Sequence, residues 1–239
     1  MLLLAPLLAA AQEAREILER VEHNMRGNAF YAEMTMETVR PRHTTEISIR
    51  TWSLGDDYAM ILITAPAREA GTAYLKRKNE IWNYQPRIDR TVRMPPSMMS
   101  QSWMGSDFTN NDLVSGTATV HDFDHELAGI VMVEGHECYM IELVPWPENP
   151  VVYERVIYYV SREFYLPLMV ENYDEHDELV STIHFRDIRE FDGRNFPAVM
   201  EMIPSGDEER KTVITVHSVE FGIDISEKFF SIENLTEIK

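Results

Sequence analysis

The sequence predicts a mainly β domain, an antiparallel meander that closes into a barrel or a sandwich. From Phe30 onward, apolar residues recur at every second position, which is typical of half-buried strands. Turn residues separate these short segments at intervals of roughly 10 to 15 residues, as in an all-β fold. One amphipathic helix precedes them. Because no linker rich in proline, serine or glycine divides the chain, residues 12–239 are expected to form a single domain.

The first eleven residues are apolar and end in small side chains. Ala9 and Ala11 occupy the positions that signal peptidase prefers, so cleavage is expected before Gln12. The run is too short to span a bilayer. We therefore predict that residues 1–11 are the remnant of a longer signal peptide and that the mature protein is exported, in soluble form, to the periplasm. The alternative is an apolar cap on the helix that follows.

Residues Gln12–Met25 carry apolar side chains at helical spacing, including Ile17, Leu18 and Val21, and Gly27 ends the pattern. The strands predicted after this helix are Ala32–Met36, Glu46–Trp52, Tyr58–Thr64, Thr72–Arg77, Glu80–Tyr84, Arg90–Met94, Ala118–Glu126, Glu137–Val144, Val152–Val160, Leu166–Tyr173, Val180–Ile188, Ala198–Ile203 and Thr212–Phe221.

The segment Pro95–Val114 departs from this strand pattern. It places Met98, Met99, Trp103, Met104 and Phe108 among small polar residues, which is too polar for a core strand and too apolar for an ordinary loop. Methionine is flexible and polarisable, so it adapts to varied partners. The segment is therefore expected to form one or two short helices, acting either as a mobile lid over an apolar cavity or as a plug that closes one end of a barrel.

The chain carries 40 acidic and 22 basic side chains, for a formal net charge of -18. Such a charge repels phosphate backbones and anionic lipid headgroups, so nucleic-acid binding and passive membrane adhesion are disfavoured. Cys138 is the only cysteine, which excludes an intrachain disulfide, and its strand-like surroundings predict a small buried side chain.

The chain contains no nucleophile elbow, P-loop, dinucleotide fingerprint or zinc-protease motif. His121 and His125 form its most ligand-like pair, but on a strand they would lie about 13 Å apart, too far for one zinc ion. We therefore predict neither enzymatic activity nor a metal or other cofactor.

Several motifs resemble the family of outer membrane lipoprotein-sorting proteins, in a divergent branch of the LolA/LolB superfamily. The resemblance extends from Ile17 to Leu235. The motifs are residues 17–21, Ala65–Arg68 with Gly71–Ala73, Ile81–Arg87, the distinctive stretch Asp89–Leu113, Tyr165–Leu168 and Phe229–Ser231. The resemblance implies an unclosed antiparallel β-barrel of about eleven strands, bent round a helical lid, with an apolar cavity between them.

The resemblance also implies a function, which is to carry acylated cargo across the periplasm toward the outer membrane. Lipoprotein acyl chains or a free lipid would be the cargo, and an inner-membrane exporter and an outer-membrane acceptor would be partners of a monomeric carrier. A lipid-sensing or exporter-accessory module of the same fold is the alternative. The classical carrier holds its lid closed with a buried arginine; Arg50, Arg87, Arg90 and Arg93 are candidates for that residue here.

Methionine and aromatic side chains are the candidates to line the cavity or to form the lid, although each could equally belong to an ordinary hydrophobic core. They are Met34, Met36, Trp52, Trp82, Tyr84, Met94, Met98, Met99, Trp103, Met104 and Phe108.

Overall fold

The computed structural model describes residues 4–115, 120, 123–146 and 153–238. Its three helices are α1 (Leu4–Met25), α2 (Asn110–Ser115) and α3 (Ile232–Glu237). Its strands are β1 (Ala29–Arg40), β2 (His43–Leu54), β3 (Tyr58–Ala65), β4 (Ala73–Arg77), β5 (Glu80–Gln85), β6 (Arg90–Arg93), β7 (Phe123–Val133), β8 (His136–Pro145), β9 (Arg155–Ser161), β10 (Pro167–Tyr173), β11 (Leu179–Phe191), β12 (Arg194–Pro204) and β13 (Lys211–Phe221).

The strands form one antiparallel sheet of 13 strands in the order β6-β5-β4-β3-β2-β1-β13-β12-β11-β10-β9-β8-β7. The chain enters the sheet in the middle, proceeds to the β6 edge, crosses to the β7 edge and returns to place β13 beside β1. Because β6 and β7 are the two ends of this order, the sheet is not closed. The mainly β, unclosed, antiparallel fold is confirmed, with 13 strands instead of about eleven.

Several predicted boundaries were wrong, including those of β1, which spans Ala29–Arg40 instead of 32–36. α1 begins at Leu4, eight residues before the predicted start, while residues 1–3 lie outside the described part of the chain. β7 spans Phe123–Val133 instead of 118–126, because Gly129 interrupts the alternation at a register shift and the strand then continues. β12 begins at Arg194 and therefore contains Pro197. Its pairing with β13 begins only at Val199, so the missing N–H group of Pro197 removes no hydrogen bond from that pairing.

The concave face of the sheet holds the main core. One face of α1 lies on it, with Ala14, Ile17, Leu18 and Val21 buried among inward-facing strand residues. The helix is fixed at its C-terminal end, where Asn24 Nδ2 donates to the carbonyls of Phe164 and Tyr165 at 3.1 Å each. Arg20 stacks over the Tyr165 ring, 3.5 Å from its centroid. The helix is thus held as a lining of the half-barrel.

A second, smaller core lies on the opposite face of β3 and β4. Tyr58, Met60 and Leu62 are buried there, whereas Ile61 and Ile63 of the same strand face the main core, as the two-residue period of a strand requires. Helix α3 covers this face with Leu235, and Phe230 precedes it. Ser231 caps the helix by accepting a hydrogen bond from the Asn234 amide at 3.1 Å.

Cys138 is fully buried, as predicted, and burial raises the pKa of its thiol to about 11. Within the described ranges, none of the helices combines the length and apolar character needed to cross a membrane.

Candidate functional site

An apolar cavity lies between the middle of the sheet, the end of α1 and the segment that links β6 to β7. Its volume is about 180 Å³. The strands β3, β2, β1, β13, β12 and β11 are consecutive neighbours in the sheet and form its wall. Their inward-facing apolar residues include Phe30, Met34, Ile49, Ile61, Ile183, Phe185, Met200, Ile214 and Val216. The site is therefore a lined hollow on the concave face.

Two of the predicted site residues, Met34 of β1 and Phe108 of the linking segment, line this cavity. The other predicted residues on the same side pack with the main core around it. They are Met36, Met94, Met99, Trp103 and Met104. Met98 is 39% exposed. The structure thus brings most of this set to one side of the sheet.

Trp52, Trp82 and Tyr84 lie elsewhere, on the convex face with the second core. Trp52 packs on the Phe229 ring, with the ring centroids 5.6 Å apart. Its neighbours in sequence, Thr51 and Ser53, line the cavity instead. A strand sends successive side chains to opposite faces, so these three aromatic residues share their strands with the site but lie on the other side of the sheet.

The segment that crosses the open side, residues 94–115, is named here the lid. It contains a short 3₁₀ turn at Pro96–Met98, an isolated bridge between Ser102 and Thr109, and α2. Trp103 is fully buried, with its ring centroid 5.5 Å from that of Tyr74 on β4. The lid follows β6 in the chain, and its residues Phe108 and Asp112 contribute to the lining of the cavity.

A cluster of charges fastens the lid to the sheet. Arg40, at the end of β1, donates to the two carboxylate oxygens of Asp107 at 2.9 and 3.1 Å and to the Gly105 carbonyl at 2.7 Å. Arg210 donates to the same carboxylate at 2.9 Å, and the hydroxyl of Thr212 donates to it at 2.8 Å. The Asp107 side chain is only 2% exposed, so this ion pair operates at low dielectric.

The four predicted lid arginines do not occupy this position. Arg50 pairs with Glu33 on the convex face at 3.1 Å, Arg93 pairs with Glu80 at 3.0 Å, and Arg87 and Arg90 are exposed. Arg210 contacts the lid too, but the arginine with the most hydrogen bonds to it is Arg40, the last residue of β1. Sequence alone gave no signal for it, because its partner is 67 residues away.

One carboxyl group lines the apolar cavity. Asp112 of α2 accepts a hydrogen bond from the Thr109 amide at 2.8 Å. Burial raises the pKa of this carboxyl, an effect that its bonds with Thr109 only partly offset. Arg26 lies at the α1 side of the cavity, 3.8 Å from Asp56.

Sequence reasoning missed most of the wall contributed by β11–β13. The alternation along these strands identifies an inward face, but it does not reveal that the face meets β1–β3 around one hollow. That juxtaposition arises because β13 returns to pair with β1, for example Met34 with Val216.

His125 bonds the Val120 carbonyl at 2.8 Å, while His121 lies outside the described residues. In the described part of the chain, no group of three histidine, cysteine, aspartate or glutamate side chains is placed to hold a metal ion.

Comparisons with known proteins agree with this architecture. A family model with the description "Uncharacterized protein" matches residues 55–237. A solved DUF1329 family protein from Desulfovibrio piger is 25% identical with a TM-score of 0.86, and the match covers 95% of this chain and 99% of that one. No curated protein matches the sequence.

Two further solved structures have the same fold. A Vibrio parahaemolyticus domain named for outer membrane lipoprotein sorting is 21% identical, with a TM-score of 0.84 and coverage of 95% and 99% of the two chains. A LolA superfamily protein from Nitrosomonas europaea is 21% identical, with a TM-score of 0.79 and coverage of 92% and 98%.

Proposed function

Because this chain belongs to the family whose model spans residues 55–237, and its structural relatives are DUF1329 and LolA-superfamily proteins, we propose that it is a periplasmic lipid carrier. Its cargo would be the acyl chains of lipoproteins or of another lipid, and it would move them toward the outer membrane. The observation that carries the proposal is the apolar cavity under the lid.

The physical reason for such a cavity is the cost of exposing acyl chains to water. Each methylene removed from water stabilises a complex by about 0.8 kcal/mol. The strands supply a lining of methionine, isoleucine and phenylalanine side chains, which suits hydrocarbon and offers few polar groups to desolvate.

The size of the cavity suggests that the lid moves. A volume of about 180 Å³ is comparable to that of engineered protein cavities that admit a molecule the size of benzene. A long acyl chain needs more room, so the lid would be displaced when cargo enters. Trp103 and Phe108, which are buried in the closed form, would then give way to hydrocarbon.

Uptake of a fluorescent fatty acid by the purified protein tests the proposal. Thr51→Trp places a bulky ring in the cavity and should lower the affinity about tenfold or more, since overpacking a filled site costs about 1–3 kcal/mol. Thr44→Trp is the matched control, because Thr44 lies on the same strand but faces outward and is exposed. Circular dichroism would verify that both variants are folded.

Absence of fatty-acid binding by the wild-type protein, or equal uptake by the Thr51→Trp variant, would contradict the proposal. Transfer of bound lipid between two vesicle populations separates a carrier from a sensing or exporter-accessory module. A carrier should speed the transfer, whereas a module that only binds lipid should not.

A further inference from the structure

A second pocket lies beside the apolar cavity, since Phe108 of the lid lines the cavity whereas its neighbours Asp107 and Thr109 line the pocket. Its volume is about 520 Å³. Its walls come from the lid, the end of β1, the start of β11 and the end of β12. In contrast to the cavity, it is rich in hydroxyl groups, which belong to Ser100, Ser102, Ser106, Thr109, Tyr153 and Ser181.

The apolar cavity and the second pocket are neighbours along β11 and β12. On β11, Ile183 lines the cavity and Ser181 lines the second pocket; on β12, Met200 lines the cavity and Met202 the pocket. Residues two apart on a strand share a face and are separated by about 6.6 Å. An amphipathic molecule of ordinary size could therefore extend from one space into the other past residues 107–109.

The charged residues that line the second pocket are two arginines and one aspartate, so the cluster carries a positive excess in a chain whose net charge is -18. Both terminal nitrogens of Arg40 are engaged, one by Asp107 and the Val39 carbonyl and the other by Asp107 and the Gly105 carbonyl. Arg210 donates to Asp107 through one nitrogen, and its side chain is 44% exposed.

Arg210 is therefore the group in this pocket that can meet a ligand. Within the described part of the chain, Asp107 is its one ion-pair partner, which leaves further guanidinium donors at the pocket wall. Asp107, held by Arg40, acts as a positioning residue that fixes the Arg210 side chain. A guanidinium with open donors flanked by hydroxyls is suited to bind an oxyanion such as phosphate or carboxylate.

We propose that the second pocket binds the anionic headgroup of a lipid whose acyl chain occupies the apolar cavity. This inference rests on the proposed function and adds the class of headgroup to it. Hydrocarbon burial supplies affinity in the cavity, and the Arg210 guanidinium selects lipids with a phosphate or carboxylate over neutral ones.

The test compares two single-chain lipids that differ only by a phosphate, lysophosphatidic acid and the monoacylglycerol with the same chain. Arg210→Gln should weaken binding of lysophosphatidic acid about tenfold, since a hydrogen bond between charged groups contributes about that factor, and should leave monoacylglycerol binding unchanged. Arg77→Gln, which removes an exposed arginine on β4 outside the pocket, should change neither affinity. Arg210→Glu should reverse the preference.

The other outcomes are decisive in different ways. If both lipids bind equally and Arg210→Gln affects neither, the headgroup proposal is overturned while the carrier proposal stands. If neither lipid binds, both proposals fall. Inorganic phosphate alone could bind with the same dependence on Arg210 and with the same affinity as lysophosphatidic acid. In that case the pocket is a site for free oxyanions and not for a lipid headgroup.

Discussion

Two aspartates of the lid, Asp107 and Asp112, differ in what surrounds their carboxyl groups. Asp107 is enclosed by two guanidiniums and a hydroxyl, so its negative charge is compensated. Asp112 faces the apolar cavity, and burial raises its pKa. The Asp107 carboxylate thus holds the lid to the sheet, whereas ionisation of Asp112, five positions later, would destabilise the folded protein.

For Asp112, we predict a pH-dependent effect on stability. Its pKa is higher in the folded protein than in the unfolded chain, so its contribution to stability is fully present below the unfolded pKa and is lost as the pH rises through the folded pKa. Asp112→Asn keeps an acceptor for the Thr109 amide and removes the charge. The variant should therefore gain stability relative to the wild type between acidic and neutral pH, as measured by urea unfolding at both.

Asp107→Asn is the matched comparison for this prediction. It leaves Arg40 and Arg210 without their carboxylate and should lower the free energy of unfolding by about 3 kcal/mol at neutral pH.

A difference between Asp112→Asn and the wild type that does not change with pH would show that the Asp112 carboxyl is solvated in the folded protein.

At the scale of elements, hydrogen bonds hold the lid together internally and join it to the sheet. Asn110 ties its two halves together by donating to the carbonyls of Met98 and Gln101 at 2.8 and 3.1 Å. Arg40 then joins this unit to β1 through Asp107 and Gly105. In the proposed carrier, cargo would replace apolar contacts of the lid, and this polar cluster would hold the lid in place until then.

We predict that Arg40→Gln loosens the lid without unfolding the sheet. The substitution removes the two-pronged contact with Asp107, so amide hydrogen exchange over residues 100–109 should accelerate about tenfold or more, as expected for the loss of a largely buried ion pair. Exchange in β12 and β13 should be unchanged. Fluorescent fatty acid should also enter and leave faster.

Arg42→Gln provides the control for the lid experiment, because Arg42 is an exposed residue in the turn that directly follows Arg40. Its hydrogen exchange should match that of the wild type. The exchange rates of Arg40→Lys should resemble those of Arg40→Gln more than those of the wild type. A lysine ammonium group cannot donate two parallel hydrogen bonds to the Asp107 carboxylate as the planar guanidinium does. Unchanged exchange over residues 100–109 in the Arg40→Gln variant would mean that apolar packing alone keeps the lid closed.

At the scale of the whole molecule, the sheet separates two cores with different tasks. The concave core surrounds the cavity, while the convex core beneath α3 contains the fully buried Phe230 and Leu235. Trp52, Trp82 and Tyr84 support the second of these. This arrangement allows one face to be optimised for stability and the other to keep a hollow.

We predict that stability and binding can be altered separately for this reason. Phe230→Ala should lower the free energy of unfolding by about 3–5 kcal/mol, the usual cost of truncating a buried phenylalanine, and should leave fatty-acid affinity unchanged at a temperature where the protein is folded. Ile232→Ala, at a half-exposed site nearby, should cost little. A parallel loss of affinity in the Phe230→Ala variant would indicate that the two faces are coupled.

The two-residue period of apolar side chains was sufficient to locate each strand, because alternation is a local property of the chain. It failed at Gly129, where a register shift breaks the period, and at the start of β12, which begins at Arg194 and not at Ala198. Helix α3 was missed because six residues are too few for helical spacing to stand out.

The candidate site was only partly predictable, and Trp52 illustrates the limit. Its residue type is right for a cavity, but which face of β2 turns toward the hollow is decided by the pairing of that strand with β1 and β3. Arg40 illustrates the converse, since its role depends on Asp107, which only the folded chain brings near.

The β meander, the amphipathic first helix, the unusual composition of the lid and the family resemblance could all be recognised from the amino-acid sequence, because they follow from local periodicity and residue type. The folded structure was needed to show that Arg40 and Arg210 share the Asp107 carboxylate, and that an apolar cavity and a polar pocket adjoin along β11 and β12. These features depend on contacts between residues far apart in the chain, and no local pattern encodes such contacts.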